Sequence, residues 1–185
     1  SRVQVPLSHV AIDGEEIPIP LQGKVTEGKG WVLRNSKGQY TLTLDGLKAG
    51  SLERKTPALE IQGDLTLVLK KGTESELLSA DAALKKGAGT LTIRGEGSLR
   101  LQGETALEGE WKEETLNQDE PSALRIEGGK LVFTGEETAL YEDTVELAGG
   151  EIQIQCLNGK GTGIRAHTLD DRHFSGSLEM EESEE

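Results

Sequence analysis

Acidic residues occur in close pairs that could bind a metal ion or take part in acid–base chemistry. The pairs are Glu60 with Asp64, Glu142 with Asp143, and Asp170 with Asp171. Calcium takes carboxylate oxygens as ligands, and cleavage of a glycosidic bond uses two carboxylates that face each other across a groove. The predicted calcium ligands are the two later pairs, Glu142 with Asp143 and Asp170 with Asp171. The alternative is that each pair lies in a solvated turn.

Two histidines flank the last of these pairs. His167, Asp170, Asp171 and His173 lie within seven residues, and imidazole with carboxylate can bind a transition metal. Their spacing matches no standard site, which makes a transition metal the lesser alternative. The glycine-rich run 159–163 contains Lys and Thr without the spacing of a phosphate-binding loop, so it predicts a tight turn.

Four aromatic rings are available for ligand contact: Trp31, Tyr40, Trp111 and Tyr141. Sugars present apolar faces that stack on such rings, while polar side chains bind their hydroxyls. Trp111 is the best candidate because its charged neighbours give it nothing apolar to pack against. The alternative is that Trp111 anchors a loop. The predicted ligand-binding residues are Trp111 and Tyr141.

The acidic and aromatic side chains must be positioned by short runs of alternating apolar and polar residues that are bounded by glycine. In residues 90–103, Leu91 and Ile93 alternate with polar residues, and so do Leu99 and Leu101. A strand has a side-chain period of two, so each run predicts a half-buried strand. The joint at residues 95–97 contains two glycines, which permit a sharp change of direction. The stretch is typical of a chain that winds in short straight segments.

A small residue followed by Leu or Ile recurs along the chain. The pairs are Ala58-Leu59, Ala83-Leu84, Ala106-Leu107, Ala123-Leu124, Ala139-Leu140 and Gly163-Ile164. Repetition at roughly 20 residues predicts a β-solenoid, in which each coil covers the core of the previous one. The alternative is chance, since Ala-Leu is a common dipeptide. Residues 75–86 also fit an amphipathic helix, although a coil is favoured there.

The pattern predicts an all-β protein, a right-handed single-stranded parallel β-helix. Residues 1–30 are irregular and predict an N-terminal cap, which a solenoid needs at its open edge. Residues 31–177 form the predicted β-helix, with a projecting loop at 111–122. Residues 178–185 are mostly acidic and predict a frayed tail.

Composition narrows the function classes. The 185 residues carry a net charge of −13, which disfavours nucleic acid as a partner because phosphate binding needs clustered cations. No apolar run is long enough to span a membrane, so membrane insertion is not predicted. The single cysteine, Cys156, excludes an intrachain disulfide and is expected to be buried.

The amino-acid sequence of the coils resembles that of a known bacterial family. Residues 65–77, with Gly72-Thr-Glu-Ser75, and residues 90–101, with Gly95-Glu-Gly-Ser-Leu99, resemble repeats of secreted or surface-attached parallel β-helix proteins. These are described as carbohydrate-binding domain-containing and look like small relatives of the pectate lyase fold. The resemblance implies secretion or cell-surface attachment, and binding of polysaccharide in some cases with calcium.

The function expected from the residues and the resemblance together is non-catalytic binding of a polysaccharide or surface glycan, assisted by calcium. The first alternative is a structural or adhesive surface module without sugar binding. The second is a polysaccharide lyase, which would need a calcium-binding carboxylate cluster and an Arg or Lys base.

Overall fold

The computed structural model describes residues 3–111 and 121–182, and in this part of the chain every regular element is a β-strand. The first five strands are β1 (His9–Ile12), β2 (Glu15–Glu16), β3 (Val25–Gly28), β4 (Trp31–Ser36) and β5 (Gln39–Leu44). The next seven are β6 (Lys48–Ser51), β7 (Leu59–Gln62), β8 (Leu65–Leu69), β9 (Glu74–Ser79), β10 (Ala82–Lys86), β11 (Gly89–Gly95) and β12 (Ser98–Glu108). The last seven are β13 (Ser122–Ile126), β14 (Lys130–Tyr141), β15 (Thr144–Leu147), β16 (Glu151–Cys156), β17 (Thr162–Arg165), β18 (Thr168–Asp170) and β19 (Ser177–Glu182).

From β5 onward the strands stack in three parallel columns, which makes the chain a β-solenoid of about five turns, whereas β1 to β4 pair antiparallel. The first column runs β6-β9-β12-β14-β16-β19. The second runs β7-β10-β12-β14-β17, and the third β5-β8-β11-β13-β15-β18. The long strands β12 and β14 belong to both of the first two columns. The predicted β-solenoid is confirmed; its right-handed winding stays a prediction.

Aliphatic side chains stack in register inside the solenoid. The second column aligns Leu59, Leu84, Leu107, Leu140 and Ile164. These are five of the six positions in the predicted Ala-Leu repeat. The sixth, Leu124, lies in the third column opposite Leu91 and Val145. The predicted repeat was therefore wrong for that pair, which belongs to another column.

Glycine makes the sharp corner between β11 and β12. Gly95 has φ of 108°, and a Cβ there would lie 2.4 Å from the carbonyl oxygen of Leu69 in the coil below. Only glycine fits so close to the neighbouring backbone in this conformation. The two strands predicted on either side of this joint are confirmed. Residues 75–86 form β9 and β10 and no helix, as favoured from the sequence.

The two ends differ from expectation in detail. Residues 3–8 alternate yet lie in no strand, since the Val5 N–H donates to the carboxylate of Asp64. The strand β1 pairs antiparallel with β7, and Val10 and Ile12 join the core. Whether residues 1–30 act as a cap stays a prediction.

The predicted frayed tail is wrong for residues 178–182, which belong to β19. This strand pairs in parallel with β16, placing Leu178 beside Ile152 and Met180 beside Ile154. The alternation of Leu178 and Met180 is enough to extend the coil despite the surrounding glutamates. Residues 183–185 lie outside the described residues. The described chain contains no helix long and apolar enough to cross a bilayer.

Candidate functional site

The end of β14 places three consecutive side chains on alternate sides of the solenoid wall. Tyr141 and Asp143 lie at the surface, whereas the Glu142 side chain between them is fully buried. In the register of the second column, Tyr141 stands opposite Glu108 on one side and Arg165 on the other. One short stretch therefore supplies both a surface site and a buried support beneath it.

Rings and a cation gather at this surface. The ring centroids of Trp111 and Tyr141 are 5.1 Å apart with 28° between the planes. The His167 ring lies 3.6 Å from Trp111 on the same measure. The Arg165 guanidinium carbon is 5.2 Å from the Trp111 centroid and 5.7 Å from that of Tyr141, within cation–π range. We call Trp111, Tyr141, Asp143, Arg165 and His167 the aromatic corner.

Asp143 holds His167 in place within the aromatic corner. The two side chains are joined by a hydrogen bond of 2.5 Å between His167 Nδ1 and Asp143 Oδ1. The backbone N–H of His167 also donates to the Asp143 carbonyl oxygen. This double contact orients the imidazole against the Trp111 ring and leaves Nε2 as its second polar atom.

Beneath the aromatic corner lies a buried ion pair. Lys86 Nζ is 2.6 Å from Glu142 Oε2, and at most 1% of either side chain is exposed. Lys86 also donates to Ser122 Oγ and to the carbonyl oxygens of Gly87 and Gly89. The other carboxylate oxygen, Glu142 Oε1, accepts from Ser122 Oγ and from the backbone N–H of Asp143.

Burial perturbs both members of the pair. It raises the pKa of Glu142 and lowers the pKa of Lys86, because each charge has lost its solvation, and their mutual attraction opposes both shifts. Gly109 makes room for the carboxylate: a Cβ at that residue would lie 2.3 Å from Glu142 Oε2. The pair fixes the end of β14 against β10 and so holds the backbone that presents Tyr141 and Asp143.

Comparison with known proteins identifies the family. A family profile described as carbohydrate-binding domain-containing protein matches residues 9–183. The chain belongs to this family. No curated protein and no solved structure matches it. Membership supports a carbohydrate-binding role, and it suggests a non-catalytic module.

The ligand-binding residues predicted for this carbohydrate-binding domain come together. Trp111 and Tyr141 stack on each other, although 30 positions separate them in the sequence. Trp31 and Tyr40 instead pack against the core, and the hydroxyl of Tyr40 accepts a hydrogen bond from Asn35. The loop predicted at 111–122 falls mostly on residues 112–120, which lie outside the described residues.

Three of the four predicted calcium ligands have protein partners in the structure. Glu142 is occupied by Lys86, Ser122 and the Asp143 backbone. Asp143 binds His167, and both carboxylate oxygens of Asp170 accept from Arg172. Residues 3–111 and 121–182 contain no group of three or more His, Cys, Asp or Glu side chains that could hold a metal ion. Calcium binding at Glu142, Asp143, Asp170 and Asp171 stays a prediction.

The remaining carboxylate pair also has structural partners. Asp64 Oδ1 accepts from the Thr90 N–H and Oδ2 from the Val5 N–H, so this side chain links the N-terminal segment to the start of β11. Glu60 lies 3.9 Å from Nε2 of His9. Cys156 is buried, as expected.

Sequence reasoning missed Lys86 and Arg165 at this site, and it considered His167 only as a metal ligand. In the sequence, nothing distinguishes Lys86 from a surface lysine. No neighbouring residue in the sequence links Arg165 or His167 to Trp111. Only the strand register could have found Arg165, because it stands beside Tyr141 in the next coil.

Proposed function

We propose that this domain binds a polysaccharide or surface glycan without catalysis, and that the aromatic corner contacts the sugar. The observation that carries the proposal is the stack of Trp111 on Tyr141 at the solenoid surface, with Arg165 beside both rings. The two rings come from separate coils. A site that needs both is therefore built only when the coils have assembled.

The chemistry of the aromatic corner suits a sugar. Partly exposed aromatic rings offer apolar faces, and Arg165, His167 and Asp143 offer donors and acceptors for hydroxyl groups next to them. Sugar-sized ligands bind where apolar surface is combined with a few polar groups that fix orientation. The stack and the His167–Asp143 hydrogen bond organise these groups in advance, which reduces the entropy cost of binding.

The arrangement supports binding in preference to cleavage. Among the described residues, Asp143 is the acidic member of the aromatic corner, and its carboxylate is bound to His167. Glycosidases use two carboxylates across the scissile bond. The neighbouring carboxylate of Glu142 faces inward and is tied to Lys86. Glu108 lies opposite Tyr141 in the strand register, and no second carboxylate paired with it across a groove is identified among the described residues.

The proposed setting is a secreted or cell-surface protein of a bacterium, in line with the family resemblance of the coils. A glycan outside the cell is the partner that this setting offers. Calcium enters the proposal only as a condition to be tested, since the predicted ligands do not converge.

The test is sedimentation with insoluble cellulose and with cross-linked pectate, each in calcium and in chelator. We expect retention on at least one polymer, and about tenfold weaker retention for Trp111→Ala. The matched control is Trp31→Phe. It alters the second tryptophan, which packs against the core, and it should bind like the unmodified protein.

Trp31→Phe also leaves Trp111 as the single tryptophan, so its fluorescence reports directly on the aromatic corner. Addition of soluble fragments of the retained polymer should change that fluorescence with the same affinity. Equal binding by Trp111→Ala and Trp31→Phe would contradict the assignment of the corner. Binding to neither polymer in either buffer would contradict glycan binding and favour the structural or adhesive module.

A further inference from the structure

The outward side of the first column forms a groove on another wall of the solenoid. Its cavity volume is about 450 Å³, and it extends from Lys48 in β6 to Ser177 and Glu179 in β19. The groove runs across the strands, along the axis of the solenoid. We call it the axial groove. It shares no lining residue with the aromatic corner.

Side chains repeat in register along the axial groove. One row consists of Lys48, Glu76, Arg100, Val132, Gln153 and Glu179, one from each of the six strands. A second row consists of Glu74, Ser98, Lys130, Glu151 and Ser177. Neighbouring strands are about 4.8 Å apart, so six strands span about 24 Å. The distance between neighbouring strands, about 4.8 Å, is close to the length of one pyranose unit in an extended polysaccharide.

The charge of the axial groove differs from that of the whole protein. The chain has a net charge of −13, yet the groove combines three cations with four carboxylates. The cations Lys48, Arg100 and Lys130 come from different strands and stand among the glutamates. A polyanion would meet repulsion from the glutamates, whereas hydroxyl groups can accept from the cations and donate to the carboxylates.

Some of these polar groups are available to a ligand. Within the described residues, the side chains of Lys130 and Gln153 have no hydrogen bond or ion pair, whereas Arg100 lies 3.5 Å from Glu76. Lys130 and Gln153 lie in adjacent strands, β14 and β16. Val132, in the first row, adds an apolar surface to the groove.

We infer that a neutral, extended glycan binds in the axial groove with its chain parallel to the solenoid axis, one sugar unit to each coil. This inference rests on the proposed glycan binding, and it assigns both the class of glycan and a second contact face. The ligand chemistry is a linear chain with hydroxyl groups on both edges and no charge.

The experiment titrates the full protein with soluble cello-, xylo- and manno-oligosaccharides from dimer to hexamer, with oligogalacturonates as the acidic comparison. Isothermal calorimetry gives affinity, and amide chemical shifts locate the contact. We expect affinity for at least one neutral series to rise at each step to the hexamer, because each added unit meets another coil. The shifts should concentrate in β12, β14 and β16.

The variant Lys130→Ala/Gln153→Ala should bind the hexamer about tenfold more weakly, since two ligand hydrogen bonds are lost. Lys71→Ala, at an exposed lysine outside the groove, is the matched control and should leave binding unchanged. Trp111→Ala should keep the groove shifts.

Four outcomes would overturn the inference. Affinity that stops rising at the dimer excludes one unit per coil, and tighter binding of oligogalacturonates excludes a neutral ligand. Full hexamer binding by the groove variant, with loss in Trp111→Ala, would leave the proposed function standing at the aromatic corner alone. If no neutral oligosaccharide binds, the groove assignment fails, and retention on insoluble polymer decides the proposed function separately.

Discussion

Lys86 and Glu142 form a fully buried ion pair directly below the stacked rings of Trp111 and Tyr141. The pair links strand β10 to the end of β14 across 56 positions of sequence. A buried charge is tolerated when it is paired and its remaining hydrogen-bonding capacity is used. Here Ser122 and three backbone groups complete the arrangement. The pair therefore acts as a support for the surface residues on either side of Glu142.

Loss of one partner should be costly. Lys86→Met leaves the Glu142 charge buried without its cation, and we expect the free energy of unfolding to fall by about 3–5 kcal/mol. Denaturant unfolding measures the change. The control is Arg125→Ala, which removes partly exposed ion pairs to Glu127 at 2.7 Å and to Glu146 at 3.1 Å and should cost about 1 kcal/mol or less. Equal losses in the two variants would show that the buried pair has no special role.

The same variant should change how stability depends on pH. In Lys86→Met the pKa of Glu142 rises further, because the attraction that opposed the effect of burial is gone. A raised folded-state pKa gives a contribution to stability that is complete below the unfolded value of about 4.5 and is lost as pH rises through the folded-state pKa.

Lys86→Met should therefore lose least stability below that pH and progressively more towards neutrality. Unfolding measured across this pH range checks the trend. In Lys86→Met/Glu142→Gln the titrating group is absent, and the added pH dependence should disappear. A pH dependence that persists in the double variant would assign it to another group.

Gly109 gives a steric test of the same support. An alanine there would place Cβ 2.3 Å from Glu142 Oε2, so the carboxylate must move away from Lys86. We expect Gly109→Ala to destabilise the fold by about 1–3 kcal/mol, as overpacking of a filled site does. The control is Gly87→Ala at the same corner, whose Cβ would meet only the movable Gln62 and Glu110 side chains. Thermal unfolding should separate the two.

Much of the fold was accessible from the sequence because its signal is local. Alternation at Leu91 and Ile93 and the glycines at 95 and 97 predict strand, corner and strand without knowledge of any partner. Assignment of strands to columns is not local. Leu124 carries the same dipeptide signal as Leu107, yet it belongs to another wall. For the acidic residues 178–182 the local signal was present but was not used. The prediction gave more weight to the glutamates than to the alternation of Leu178 and Met180, which indicates a strand.

The candidate site was accessible only in part. Trp111 and Tyr141 were selected for their chemistry, and the structure brings them into contact. Their partners Arg165 and His167 depend on register between coils, which no local pattern encodes. Glu142 and Asp143 look alike in the sequence, but just after the end of β14 the first is buried and the second is half-buried at the surface. A prediction based on residue type alone gave both the same role.

The contact between Trp111 and Tyr141 should be measurable as a coupling energy. A double-mutant cycle of Trp111→Ala and Tyr141→Ala in unfolding should give about 0.5–1.5 kcal/mol, which is typical of stacked rings. A second cycle that combines Trp111→Ala with Tyr40→Ala joins rings without mutual contact and should be additive within about 0.5 kcal/mol. Additivity in both cycles would mean that the rings of the aromatic corner are neighbours without energetic consequence.

Calcium binding by the acidic pair Asp170 and Asp171 can be tested through the pKa of Asp170. Hydrogen bonds from the Arg172 side chain and then from its backbone N–H lower the pKa of Asp170 to about 2. This depressed pKa contributes stability that is present above about pH 3.8 and is lost as pH falls through about 2. Carboxyl carbon chemical shifts measured in chelator should report this pKa, and Arg172→Ala should move it back towards 3.8.

Calcium would have to displace the guanidinium from both carboxylate oxygens of Asp170. We therefore expect calcium to change the Asp170 carboxyl shift little in the unmodified protein and more in Arg172→Ala. Asp171, the adjacent carboxylate, serves as the internal comparison in the same spectra. A saturable calcium response at both residues in the unmodified protein would show that the ion competes successfully with Arg172, and it would restore this pair as a calcium site.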